Sequence, residues 1–531
     1  MQNAVCGLAA WMSCALAAIV CSAPPALAQT LPGSGPARVQ PAVEQWSIFE
    51  LVLRGSTEGN PFDVQLSAKF TLGQRAIEAR GFYDGQGVWR VRFMPPEPGV
   101  WTCQTSSDLP ELSGRSGHVT CTKASTPGNH GPVVVRNTYH FAYADGTPFH
   151  PITTTLYGWV NQQSEALQEQ TLASLRELPF NRIRMMVLPI AWSQDNVPRF
   201  FPFQQKEDQS WEFARFDPRF FQAIEKRLGQ LRDMGIEAEL ILFHNRDGGR
   251  TGFDRMPESA DDRYVRYVVA RFSAYRNVWW SLANEFDAIR TKRDADWDRF
   301  FQIIQSEDPY GHLRSVHQMR RYYDFFKPWV THLSVQSELG VTGFGRPVIY
   351  RQLSRKPVIF DEPKYEGDIP DGWGRLSGEE MVYRFWVATV GGTYAAHGET
   401  FASEPGVRWI SRGGKLVGQS PQRIAFLKQI LATAPAEGLT PIEPQEQTQG
   451  IAGQHGKYYL IYFGKSSPTE WTLQLPRGRA RGGTRFRIDV LDTWNMTITP
   501  LDQVATIGEE PPLKITLPGK PYIALRIQRI D

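Results

Sequence analysis

Residues 277–287 read NVWWSLANEFD, and how this stretch is read decides the fold. Asn277 to Leu282 is a short apolar run with two adjacent tryptophans, bounded by polar residues on both sides. Such a run is predicted to be a strand buried on both faces, as in a parallel sheet. Ala283, Asn284 and Glu285 then fall at its C-terminal end, where the loops of a (β/α)8 barrel gather functional side chains. Taken alone, Glu285 would more often be a polar residue opening a surface loop. A second carboxylate-bearing strand further along the chain changes that balance.

This second stretch, KPVIFDEPKYEG over Lys356 to Gly367, runs from an apolar strand into Asp361 and Glu362. Glu362 lies 77 residues after Glu285, and three βα units of roughly 25 to 30 residues each put the two on strands four and seven of an eight-stranded barrel. Strands so placed aim side chains at one cavity from opposite sides. Two carboxyl groups flanking a glycosidic bond are what its hydrolysis requires: one protonates the leaving oxygen, and the other stabilises or attacks the oxocarbenium-like carbon. An ordinary ion pair with a nearby Arg or Lys is the competing explanation for Glu362, and the presence of both residues at strand ends favours catalysis.

The rest of the chain between Tyr139 and residue 435 fits that frame. Strands are predicted over His150–Thr155, Asn181–Leu188, Ile236–Phe243, Asn277–Leu282, Leu313–Gln318, His332–Gln336, Pro357–Phe360 and Gly392–Ala396. Helices are predicted near Glu165–Glu177, Pro218–Met234 (Asp217 as N-cap, Gly235 just past the end), Asp262–Tyr275 and Asp296–Ser306. The expected fold class is α/β, a (β/α)8 TIM barrel over residues 139–435. On either side the pattern is all β. Alternating runs at Trp46–Leu53, Phe62–Phe70, Val88–Phe93 and Val100–Thr105, broken by Asp84-Gly85, Pro95-Pro96 and Pro98-Gly99, predict an N-terminal β-sandwich over residues 42–128. Tyr458–Phe463, Trp471–Leu475, Phe486–Leu491 and Tyr522–Ile527 predict a C-terminal β-sandwich over residues 436–531.

Composition narrows the partners. The 531 residues exceed one compact domain. With 21% charged residues and a net charge of +3 there is no basic field for nucleic acid. Residues 1–28 are apolar from Leu8 to Val20 and end in Ala26-Leu27-Ala28, the pattern of a cleaved signal peptide, although no Lys or Arg precedes Arg38. The apolar core falls short of the roughly 20 residues a membrane span needs. An exported protein is therefore expected, periplasmic or secreted, with no membrane contact after cleavage. Of five cysteines, Cys6, Cys14 and Cys21 lie in that leader. Cys103 and Cys121 remain, and in an oxidising compartment a disulfide between them is expected to contribute about 3 kcal/mol, two free thiols being the alternative.

The motifs also carry a family resemblance. Asn284-Glu285 after a hydrophobic strand, Glu362 five positions after Pro357, and Arg184 within FNRIRMM resemble the clan A glycoside hydrolases. TTLYGWVNQ, RNVWWSLANEFD, HLRSVHQ, THLSVQS, DEPKYEG and AAHGETF are similar to exported bacterial glycosidases related to the apiosidase-like barrels, whose flanking β domains are echoed in DVLDTWNMTI and LPGKPYIALRI. The resemblance implies Glu285 as acid/base, Glu362 as nucleophile of a retaining mechanism, Asn284 holding a sugar hydroxyl, and Arg184 orienting the nucleophile and keeping it ionised. It also places Gln162, Gln336 and Tyr365 among the substrate contacts, and implies no cofactor. Two departures touch the pocket rim. Asn245-Arg246-Asp247 replaces a commoner proline-containing turn after strand three, and Pro363 stands where relatives often carry cysteine.

Further candidates follow from position. Glu366 rivals Glu362 as nucleophile, and otherwise Glu366 and Glu399 are expected to bind hydroxyls; Asp361 and Asp287 also lie at strand ends. His244, His317 and His397 each fall at a strand end; a core histidine satisfied by backbone is the usual explanation for any one of them, but three converging on one barrel mouth suggest substrate hydrogen bonds rather than a metal site, since no HExxH spacing is present. Trp159 and Trp373 sit in predicted top loops, where an indole face can stack on a sugar ring. The alternative to an enzyme is a non-catalytic carbohydrate- or matrix-binding protein on the same scaffold.

Overall fold

The computed structural model describes residues 29–30, 42–190, 197–246, 249–442, 448–473, 475 and 481–530. The leader expected at residues 1–28 lies outside them. At the centre are eight parallel strands: β1 (Thr153–Thr155), β2 (Arg182–Met186), β3 (Glu237–Phe243), β4 (Val278–Ala283), β5 (Arg314–Ser315), β6 (Leu333–Gln336), β7 (Val358–Glu362) and β8 (Tyr394–His397). They pair in the order 5-4-3-2-1-8-7-6. A parallel bridge between His317 and Ser334 joins the two free edges and closes the barrel.

Each predicted barrel strand contains or overlaps an observed one. Helices Glu165–Glu177, Pro218–Asp233, Glu258–Phe272 and Asp294–Glu307 cover the predicted positions. Asp217 caps the second of them by accepting from the Arg219 N–H, which fills one of the unpaired donors of the first turn. Gly345–Ser354, Gly378–Val390 and Ser420–Leu431 are further helices that the sequence pattern had not marked.

The barrel interior is charged where many barrels are aliphatic. Register sets Arg182 opposite Glu237 and Arg184 opposite Glu239 on neighbouring strands, and both guanidinium groups pair with Glu239. Arg182, Arg184, Glu239 and Asp361 are all fully buried. Arg182 Nη1 donates to Asp361 Oδ1 at 3.0 Å, Ser334 Oγ donates to Asp361 Oδ2 at 2.6 Å, and the Arg182 guanidinium lies 4.6 Å from the Trp279 ring centre. Below this layer Phe141 and Phe149, from the short strands His140–Tyr143 and Pro148–Phe149, pack with Trp279, Leu313 and Ile359 and plug the N-terminal end.

The N-terminal region is β-rich and separate from the barrel. Its eight strands run continuously, because Arg75–Gly85 pairs through residues 75–80 with Leu66–Leu72 and through residues 81–85 with Val88–Phe93. Gly81 sits at that change of partner, where a Cβ would come within 2.5 Å of the Leu66 side chain. The disulfide expected between Cys103 and Cys121 is corrected here: both are buried free thiols. Cys103 pairs with Gly117 and Cys121 with Gly99, so the two lie four register positions apart, about 13 Å along the ladder. A disulfide tolerates less than about 7 Å between Cα atoms. The C-terminal region is an antiparallel six-stranded sheet with a two-stranded ribbon. One sheet face holds Tyr459, Ile461, Ile488 and Ile527 against the ribbon's Leu473 and Ile515, and the other presents Tyr458, Leu460 and Tyr462 to the barrel.

Candidate active site

The C-terminal ends of the barrel strands converge on Glu285 and Glu362. Glu362 ends β7, is 1% exposed, and is surrounded by donors. Tyr157, two residues beyond β1, donates its hydroxyl proton to Glu362 Oε1. Arg184 Nη1 of β2 lies 3.7 Å from the same oxygen, and His317 Nε2, just beyond β5, lies 3.3 Å from it. Burial opposes ionisation, yet His317, Arg184 and Arg246 outweigh it and hold the Glu362 carboxyl well below the ordinary range.

Glu285 follows β4 with φ +53° and ψ 56°, a left-handed conformation uncommon for a residue with a Cβ. Backbone strain of this kind is found where a structure holds a side chain in a required place. Glu285 is 3% exposed, and its Oε1 accepts from Arg246 Nη2. The Gln336 amide lies 3.2 Å from Glu285 Oε1 and 3.1 Å from the Gln318 carbonyl, so its nitrogen faces both acceptors. Burial raises the Glu285 pKa above its usual value; Arg246 opposes and the neighbouring Glu362 charge reinforces the rise. One carboxyl is thus kept charged and the other pushed toward its protonated form.

Asn284 connects the two sides of the site. Its Oδ1 accepts from Arg184 Nη2 at 3.3 Å and lies 3.3 Å from the Tyr157 hydroxyl oxygen. Tyr365, 3% exposed, places its hydroxyl 3.2 Å from that of Tyr157. Asn284, Arg184, His317, Gln336 and Tyr365 are therefore brought together with the two glutamates. Trp373 is partly exposed on the loop after β7, and its carbonyl accepts from the Tyr365 N–H at 3.0 Å.

Other expectations are corrected. Glu366 and Glu399 are not open to hydroxyls: Val417 and Gly418 N–H donate to Glu399 at 2.7 and 2.8 Å, and Gln419 and Ser420 N–H to Glu366 at 2.8 and 3.2 Å. These four consecutive donors lead into helix Ser420–Leu431, whose unpaired first-turn N–H groups need acceptors. Glu366 is thereby also unsuited to the nucleophile's role. His397 is fully buried, stacks on Phe180 at 5.0 Å and bonds Thr154 Oγ1 at 3.1 Å. Glu366, His397 and Glu399 bring donor atoms within 4.8 Å of one another, the one such trio among the described residues. The positive end of a helix points at it, and both carboxylates already accept backbone protons, so the surroundings do not suit a cation.

His244 bonds backbone through both ring nitrogens, to the Leu188 carbonyl at 3.0 Å and the Arg246 N–H at 3.1 Å. Trp159 is fully buried in the core and Gln162 spends its amide on the Trp159 and Arg412 carbonyls. Asp287 accepts from the N–H groups of Met319, Arg320 and Arg321 at 2.7 to 2.8 Å, which ties the loop after β4 to that after β5. Tyr157 is the site residue that sequence reasoning passed over, although its place just past a barrel strand is the signal that picked out the others.

Comparisons with known proteins give the family. A family described as "Apiosidase-like, catalytic domain" matches residues 135–421. The chain belongs to the apiosidase-like family. Two domains of unknown function, DUF5060 and DUF5605, match residues 42–108 and 448–528. A candidate glycoside hydrolase from Bacteroides vulgatus, solved by crystallography, is 38% identical to this apiosidase-like chain, covers 92% of it and 100% of its own length, and has a TM-score of 0.87. A family 5 glycoside hydrolase from the same organism is 15% identical over 76% of this chain and 94% of its own, with a TM-score of 0.59, and shows the fold alone. No curated protein matches the sequence. This apiosidase-like protein is a glycoside hydrolase, and its substrate is a carbohydrate.

Proposed function

We propose that the enzyme cleaves its glycoside by a retaining double displacement, with Glu285 as acid/base and Glu362 as nucleophile. One observation carries this: two recessed glutamates at the ends of opposite barrel strands receive opposite electrostatic treatment. In the first step Glu285 gives its proton to the glycosidic oxygen as Glu362 attacks the anomeric carbon. Tyr157, Arg184 and His317 hold Glu362 charged and aimed, so little reorganisation accompanies attack. Water then enters, Glu285 takes its proton, and the glycosyl ester breaks to release sugar of retained configuration. Asn284, fixed by Arg184 and Tyr157, is positioned to hold a hydroxyl beside the reacting carbon.

The flanking β regions read as sandwiches that pack around the barrel, and the apolar run at Leu8 to Val20 supports export through a cleaved leader. N-terminal sequencing of the protein recovered outside the cytoplasm should begin near Gln29. For the chemistry, aryl glycosides assayed with Glu285→Gln and Glu362→Gln should each show turnover reduced about 10³-fold or more. NMR of the first-formed product should show the anomeric configuration of the substrate. Inversion, or full activity in either variant, would remove this assignment.

A further inference from the structure

Arg246 is placed differently from the other guanidinium groups of the site. Arg182 and Arg184 are fully buried and neutralised by Asp361 and Glu239 beneath the pocket. Arg246 stands on the loop after β3 with its side chain 39% exposed, and its carboxylate partner is Glu285. Its charge also acts on Glu362, Tyr157 and Tyr365, which places it beside both carboxyl groups of the site. Its backbone is pinned, because the Arg246 N–H donates to His244 Nδ1 while His244 Nε2 bonds the Leu188 carbonyl. The stem is fixed and the guanidinium is at the open end.

The Arg246 contact with Glu285 runs against the chemistry. A guanidinium on the acid/base favours its charged form, whereas the first step needs a proton there. In the productive complex that contact must therefore loosen. A guanidinium leaving a carboxylate gives up a charge-assisted contact, which a second anion replaces better than a neutral hydroxyl does. A planar two-oxygen anion matches its fork.

We propose that the substrate's sugar at the cleavage site carries an anionic group, a carboxylate as in a uronic acid or a sulfate ester, and that Arg246 is its receptor. Binding that anion draws Arg246 off Glu285 and leaves the acid free to hold its proton. The inference rests on the catalytic assignment of Glu285, and its test separates the two. Matched 4-nitrophenyl glycosides of both anomers (glucoside with glucuronide, galactoside with galacturonide and galactoside 6-sulfate) are assayed with wild type, Arg246→Gln and Arg246→Lys. Wild type should favour an acidic member over its neutral counterpart by about 10- to 100-fold in kcat/KM. Arg246→Gln should erase that preference, and Arg246→Lys, which keeps the charge without the fork, should restore part of it. The member favoured tells carboxylate from sulfate. Calorimetry with free glucuronate, galacturonate and galactose 6-sulfate against glucose and galactose reads the anion site independently of turnover. Arg246-dependent binding of an acidic sugar with no glycoside cleaved would keep the anion site and remove the catalytic assignment. Equal treatment of neutral and acidic sugars by wild type, or equal losses on both in Arg246→Gln, would overturn the proposal.

Discussion

Tyr157 hydrogen-bonds Glu362 and meets Asn284 and Tyr365, so removing one oxygen disturbs three contacts. Tyr157→Phe should lower kcat about 10- to 100-fold with KM little changed, since the lost bond positions charge more than it binds sugar. Steady-state kinetics on any glycoside turned over will check it. Glu237, at the barrel's lower end, gives a pH prediction. Burial pushes its carboxyl up from 4.5 to about 8, against the Trp279 indole N–H bonded to it at 2.9 Å. In the unfolded chain this group releases its proton near pH 4.5, whereas the native protein keeps it bound to about pH 8. Native stability contributed here is thus full below the lower value and is lost as pH rises through the window. Glu237→Gln keeps an oxygen for Trp279 and cannot ionise. Its thermal midpoint should gain on wild type between pH 5 and 8 by the equivalent of about 3 kcal/mol.

At the scale of elements, Glu366 caps helix Ser420–Leu431, and Glu399 holds the two backbone N–H groups just before it. Glu366→Gln presents an amide to N–H groups that need an acceptor and should cost about 1 to 3 kcal/mol in denaturant unfolding. Activity per folded molecule should stay within a fewfold of wild type, which distinguishes a cap from a nucleophile. The N-terminal sheet should be indifferent to reductant, with equal melting temperatures with and without dithiothreitol, because Cys103 and Cys121 face their core too far apart to bond. Sequence reading recovered the barrel strands where a short apolar run meets a polar edge, as in β3, β4 and β7. It missed helix Gly378–Val390, where GEEMVYRFWVATV is rich in aromatic and β-branched residues that favour strands locally. That helix is nearly buried, so packing on the barrel and the C-terminal sheet overrides local preference.

Across the whole molecule, the N-terminal sheet and the barrel share buried charge. Arg92 reaches from the sheet to Glu225 at 2.6 and 3.0 Å and to the Arg271 carbonyl at 2.8 Å, while Arg271 returns to Asp84 at 2.8 Å. Phe82 enters the barrel's apolar core between the two guanidinium groups, 4.9 and 4.4 Å from their carbons. Glu225→Ala should therefore cost about 3 kcal/mol by removing the buried carboxylate that the two cations share, leaving Arg92 with Glu50 and Arg271 with Asp84. Calorimetry should show the sheet and barrel unfolding in one transition. The sequence by itself determined the barrel, its eight strands and the two glutamates, because hydrophobic periodicity and strand-end position are local properties. Only the tertiary structure decided which of the strand-end residues share the pocket. Glu366, Glu399, His244, His397 and Trp159 look the same in one dimension as Glu362, His317 and Tyr157. Their different duties depend on which backbone donors or core faces happen to meet them, and those come from segments up to some 200 residues away.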